Sequence, residues 1–97
     1  MSESAVSRTV IVANRAGLHA RAALLLSRAA QRFDARILIA KGNEQVEAKD
    51  LMQLMLLAAE QGDRLLLEAS GPEARQALDA LEELFQRKFD EDEFERT

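Results

Sequence analysis

The spacing of apolar residues predicts an α+β domain, an open-faced sandwich with three helices covering one face of a four-stranded antiparallel sheet. Three observations point to it. Four short segments alternate inward apolar residues with polar ones, as half-buried strands do. Three segments have the length and residue types of helices. Their order is β-α-β-β-α-β-α, and turn or capping residues separate them.

The first strand is read over residues 7–13 (SRTVIVA), which are rich in β-branched residues and put Val10 and Val12 on one face. Asn14-Arg15-Ala16-Gly17 breaks it. Residues 20–33 (ARAALLLSRAAQRF) follow as a helix with Ala23, Leu26, Ser27, Ala30 and Phe33 on its inward stripe. Arg28 and Arg32 lie off that stripe, and Arg32 suits the negative end of the helix. Residues 35–41 (ARILIAK) alternate again, with Ile37 and Ile39 inward, and Gly42-Asn43 makes a tight hairpin turn. The next strand, 44–48 (EQVEA), carries only Val46 inward.

Asp50 is placed to cap a helix over 51–60 (LMQLMLLAAE), with Leu54, Leu57 and Ala58 toward the core. Gln61-Gly62 ends it, the glycine taking the left-handed position. The last strand, 63–69 (DRLLLEA), turns Leu65, Leu67 and Ala69 inward. Ser70-Gly71-Pro72 opens the final helix with the proline inside its first turn. Ala74, Ala77, Leu78, Leu81, Leu84 and Phe85 form its core face, which runs through residue 88. On the other sheet face, Ile11, Leu38 and Leu66 read as scattered surface residues, with a partner patch as the alternative.

The 97 residues form a single domain, ordered over about 5–89, with a charged tail at 90–97. Cysteine is absent and His19 is the only histidine, so disulfides, thiolate metal sites and two-histidine zinc motifs are excluded. No metal and no cofactor are expected. The net charge of −4, from 13 basic and 17 acidic residues, argues against a nucleic-acid partner. No apolar run is long enough to span a membrane, and the N-terminus lacks the layout of a signal peptide. A cytoplasmic protein is the simplest expectation.

The chemistry concentrates in Gly17-Leu18-His19-Ala20-Arg21. A glycine-containing loop leads to a histidine at a helix start, and an arginine follows two residues later. The first N–H groups of a helix have no intrahelical partner and make a ready anion site. An imidazole there, beside a guanidinium, is suited to accept a phosphoryl group on a ring nitrogen while the amides and Arg21 neutralise its oxygens. On physics alone, an ordinary helix-start histidine is the favoured reading.

The stretch GLHARAA, at this place in a β-α-β-β-α-β-α chain, resembles the HPr family of phosphocarriers of the bacterial phosphotransferase system. The resemblance runs over about residues 7 to 89. It takes in VIVANRAGLHARAA, VEAKDLMQLMLLAAEQG and LLLEASGPEARQALDALEELF. It implies that His19 takes phosphate on Nδ1 from Enzyme I and passes it to an EIIA-type protein, with Arg21 assisting. It also implies a phosphoryl-transfer intermediate and not a free-standing enzyme, working as a monomer. The alternative is an HPr-like regulatory module that binds partners without relaying phosphate; the presence of both His19 and Arg21 speaks against it.

Two departures from the family pattern matter. Ala22 stands where the family usually has proline; alanine is a good helix former, so His19 is still presented. Ala22 and the C-terminal FQRKFDEDE resemble the nitrogen-related NPr branch. Asp50 stands where many relatives carry a regulatory serine. It reads as a helix cap, as a fixed negative charge resembling phosphoserine, or as both. By resemblance, Ala20, Leu24, Arg28, Lys49, Leu51, Met52 and Met55 make the surface that docks Enzyme I. Adaptable methionines suit such a surface, and Arg28 and Lys49 form a basic rim for acidic partners.

Overall fold

The computed structural model describes residues 5–91. The elements are β1 (Val6–Ile11), α1 (Ala20–Gln31), β2 (Arg36–Lys41), β3 (Glu44–Glu47), α2 (Leu51–Leu57), β4 (Arg64–Ser70) and α3 (Ala74–Gln86), followed by a short 3-10 turn at Lys88–Asp90. The α+β expectation and the element order hold. All pairings are antiparallel, and the strands lie in the order β1-β4-β2-β3. β4 therefore enters last and fills the centre, between β1 and β2.

The register follows from the alternation. Val10 pairs with Leu65, Ile37 with Ala69, and Ile39 with Leu67 on one side and Val46 on the other. That aligns every inward residue of the sheet on one face. The helices close over it. Ala22, Ala23, Leu26, Ser27 and Ala30 of α1, Leu54 and Leu57 of α2, and the whole expected face of α3 are buried. On the opposite face Ile11 and Leu66 are exposed and Leu38 is partly so. Each buried Leu, Ile or Phe side chain contributes about 1.5–3 kcal/mol relative to exposure.

Besides shifts of one or two residues at the strand ends, four places differ from the sequence reading. α1 ends at Gln31, so Arg32 is its C-cap and Phe33 packs on the core from outside the helix. α2 ends at Leu57, three residues early, with Ala58 in the left-handed region at φ 54°. Ala58 is consequently exposed, not core. The cause is tertiary: the next carbonyl, of Ala59, must accept the N–H of Leu18 at 2.9 Å, which a continuing helix would prevent. Pro72 precedes α3, whose N-cap is Glu73. The chain beyond α3 turns left-handed at Lys88, Phe89 and Asp90 and buries Phe89 edge-on to Phe85 at 5.0 Å. Of the stretch read as a charged tail, Asp90 and Glu91 are placed and Glu91 is buried; 92–97 lie outside the described residues.

Asp50 caps α2. One carboxylate oxygen accepts the backbone N–H of Gln53 at 3.2 Å, and the other accepts the Gln53 amide at 3.2 Å. The Gln53 side chain also accepts the N–H of Glu47 at 3.0 Å, tying the cap to β3. Asp50→Ala is expected to lower stability by about 0.5–2 kcal/mol, and Asp50→Ser by less, because serine caps comparably. Urea denaturation of the three proteins measures this; equal midpoints would show that the cap contributes nothing.

Candidate functional site

The loop between β1 and α1 is held by its own side chain and by a crossing segment. The Asn14 side-chain N–H donates to the Gly17 carbonyl at 2.7 Å, and the Asn14 carbonyl accepts the Gly17 N–H at 3.2 Å. Gly17 has φ 69°, and a Cβ there would lie 2.6 Å from the Ala59 carbonyl oxygen. Only glycine satisfies both the backbone angle and the approach. Leu18 is buried and its N–H donates to that same carbonyl at 2.9 Å. Farther back, Val12 and Gly62–Asp63 exchange two backbone hydrogen bonds at 2.8 and 2.9 Å. The segment after α2 is thus strapped to the loop before α1.

His19 emerges from this anchorage as the N-cap of α1. Its backbone is extended, at φ −71° and ψ 178°, and its carbonyl accepts the Ala23 N–H at 2.8 Å. Its side chain makes no capping hydrogen bond. The first backbone N–H groups of a helix lack intrahelical acceptors, and His19 stands at that end of α1. Arg21 is partly buried in that first turn. Imidazole and helix start therefore meet at one place, with Arg21 in the turn that follows.

Behind the ring lies a residue that the sequence reading missed. The Glu91 side chain is only 6% exposed, and its Oε1 is 3.6 Å from His19 Nε2. Asn14 Nδ2 donates to it at 3.1 Å, and the Ala16 N–H reaches its two oxygens at 3.1 and 3.3 Å. Burial pushes its carboxyl up, but donation from Asn14 and from the backbone of Ala16 and Arg15, with His19 nearby, outweighs this and holds it below the ordinary carboxylate range. The stability that this ionised carboxylate lends is full above the ordinary range and lost as pH falls through its lowered value. The available signal was Phe89, an apolar anchor inside an acidic stretch.

α2 shows a second apolar stripe outward. Met52, Met55 and Leu56 are 67%, 43% and 77% exposed, at i, i+3 and i+4 spacing, while Leu51 is half-buried. Leu56 is the most exposed of them and was not singled out from the sequence, though the spacing reveals it. On α1, Ala20 and Arg28 are exposed and Leu24 is partly so. Ser27 and Gln31 both donate to the Lys49 carbonyl at 3.1 Å, joining α1 to the start of α2. The Lys49 ammonium is exposed but donates to the Phe33 carbonyl at 3.0 Å. An open groove beside α2 is lined by Lys49, Asp50, Leu51 and Met52 with Glu47 and Gln53. Among the described residues, no helix is long and apolar enough to cross a membrane.

Comparison with known proteins agrees with this geometry. The family model described as "PTS HPr component phosphorylation site" matches residues 6–87. The chain is 47% identical over 87 residues to the phosphocarrier protein HPr of Treponema pallidum, covering 90% of this chain and 99% of that one. It is 40% identical over 86 residues to the phosphocarrier protein NPr of Shewanella violacea, covering 89% and 94%. A crystal structure of HPr-C-His from Thermoanaerobacter tengcongensis superposes with a TM-score of 0.84 at 37% identity, covering 87% of this chain and 94% of that one. On its matched sequence, sheet order and helix-start histidine, the chain belongs to the HPr family of phosphocarriers of the phosphotransferase system.

Proposed function

We propose that this chain receives a phosphoryl group on His19 from an Enzyme I-type donor and delivers it to an EIIA-type acceptor. The observation that carries this is the N-cap position of His19, with a side chain that makes no capping bond at the open end of a 12-residue helix. Helix N–H groups and Arg21 neutralise the phosphoryl oxygens during transfer. Because the ring is at the surface, donor and acceptor reach it in turn, and the chain needs no pocket for a small molecule. We read the carrier as a monomer that works in the cytoplasm.

We assign the carrier further to the nitrogen-related branch. Ala22 after Arg21 and the FQRKFDEDE stretch support this, as does the similarity to proteins named NPr at 40% and 38% identity. The first relative, at 47%, is named HPr, so the donor decides. Incubation with phosphoenolpyruvate and each Enzyme I of the host, sugar-type and nitrogen-type, should give faster labelling by the nitrogen-type enzyme. Preference for the sugar-type enzyme would overturn the branch.

His19→Ala should fold normally and acquire no acid-labile phosphate, since it removes the only imidazole. Retention of such phosphate in the alanine variant would refute the carrier reading.

The exposed α2 stripe, with Ala20, Leu24, Arg28 and Lys49, is the docking surface in this reading. Met52→Glu should weaken binding of Enzyme I about thirtyfold, the loss of ~2 kcal/mol typical of an interface anchor. Its melting temperature should hardly change, because the residue is 67% exposed. A large fall in melting temperature, or unchanged binding in titration calorimetry, would remove Met52 from the surface.

Asp50 acts here as a cap and not as a standing phosphoserine mimic. Initial phosphorylation rates of the parent and Asp50→Ser should differ by less than about fivefold at low and high salt, as expected for one exposed charge. A larger acceleration confined to low salt would instead show that the charge holds the carrier back.

A further inference from the structure

Glu91 is buried at a cost that packing alone does not explain. To reach it, three consecutive non-glycine residues, Lys88, Phe89 and Asp90, take φ of 55°, 54° and 56°. L-residues meet a steric penalty in that region. Burial of Phe89 against Phe85 offsets part of that and anchors the turn. The turn then ends on a carboxylate, the side chain most costly to bury unless it is paired. Its two oxygens take donors from Asn14 and Ala16, which fix its position, and Oε1 faces the Nε2 of His19 at 3.6 Å.

The ring is held asymmetrically by this arrangement. Nε2 is buried and has no hydrogen-bond partner among the described residues. The 28% of the side chain that reaches solvent therefore belongs to its other atoms. Attack through Nε2 would require the ring to leave its seat. The separation of 3.6 Å exceeds the 2.7–2.9 Å of a charge-assisted hydrogen bond, so the contact is open in this state and has room to close.

We propose that Glu91 is a positioning residue for phosphoryl transfer, holding the Nε2–H of His19 inward so that Nδ1 is the nucleophile, and closing on that proton as the ring becomes charged. This rests on the carrier reading above. The Nδ1 lone pair attacks the phosphorus of the donor's phosphohistidine. The donor's N–P bond breaks and its electron pair stays on the donor imidazole. His19 releases no proton, so the ring now bears both the Nδ1–P bond and the Nε2–H and carries a positive charge. The ionised Glu91 compensates that charge on the side of the ring away from the phosphoryl oxygens. In onward transfer the pair of the N–P bond returns to Nδ1, the ring is neutral again, and the contact relaxes.

The test compares the full chain with Glu91→Ala and Glu91→Gln, using Enzyme I and phosphoenolpyruvate as donor. Ring ¹H and ¹⁵N resonances of His19 are followed before and after phosphorylation, with initial transfer rates measured on the same samples. The parent should carry phosphate on Nδ1 and show an Nε2–H proton that exchanges slowly once phosphorylated. Glu91→Ala should lose that protected proton and accept phosphate about tenfold more slowly. Glu91→Gln, which keeps an acceptor oxygen and loses the charge, should fall between them. A merely structural residue would leave the proton signal of the folded, phosphorylated variant unchanged. If Glu91→Ala keeps the protected proton and the parental rate, the role of Glu91 is overturned while the carrier reading stands. If the parent itself takes no phosphate on His19, both are overturned.

Discussion

One hydrogen bond sets the geometry on which the site depends: the N–H of Leu18 donating to the carbonyl of Ala59. It joins the residue before His19 to the residue two beyond the end of α2. For the two backbones to come that close, Gly17 must lack a side chain, since a Cβ would meet the Ala59 oxygen at 2.6 Å. For the Ala59 carbonyl to face the loop, α2 must stop at Leu57 and Ala58 must turn left-handed. The truncated helix, the glycine and the placement of the histidine are thus one constraint seen from three sides. The same strap brings the end of α2 next to the loop that presents His19.

That arrangement separates two tasks that compete in a small domain. A thin core needs most of its large apolar residues, and a docking surface needs some left outside. α2 resolves this by presenting two stripes on seven residues: Leu54 and Leu57 inward, Met52, Met55 and Leu56 outward. So short a helix is marginal alone. The Asp50 cap, with Gln53 bonding both to Asp50 and to the Glu47 N–H, holds its start without using any of the outward stripe. Stability comes from the polar contacts at its start and from buried Leu54 and Leu57, and the outward apolar side chains stay available.

Much of this was legible in the sequence because it depends on local period. Strand alternation identified Val10, Ile37, Ile39, Leu65, Leu67 and Ala69 as inward, and the 3.6-residue spacing identified the full buried face of α3. His19 and Arg21 stood out because helix-start chemistry is also local. The failures share a different cause. Nothing in LMQLMLLAAE signals an early stop, because Ala58 and Ala59 favour helix and are overridden by a bond to a residue about forty positions away. Glu91 sits in an acidic run whose composition reads as solvated tail, yet its partners, Asn14 and Ala16, lie at the other end of the chain. The sheet order β1-β4-β2-β3 likewise follows from pairings that no single segment contains.

In the proposed transfer, the burial of an anion beside the accepting ring looks self-defeating until the charges are placed along the imidazole. In that reading phosphoryl oxygens sit on Nδ1, the other nitrogen, whereas the Glu91 carboxylate faces Nε2 from the interior. Opposite charges at short range in a partly desolvated site attract more strongly than like charges held apart across the ring and in reach of water. The ring between them is the group whose charge changes with each transfer. A carrier must also give up what it accepts, which favours a contact that is loose at 3.6 Å in the unloaded state over a fixed hydrogen bond. A carboxylate anchored by Asn14 and Ala16, and not by the histidine itself, keeps its place whether the ring is loaded or empty. It can therefore favour the charged ring without relying on it for its own burial.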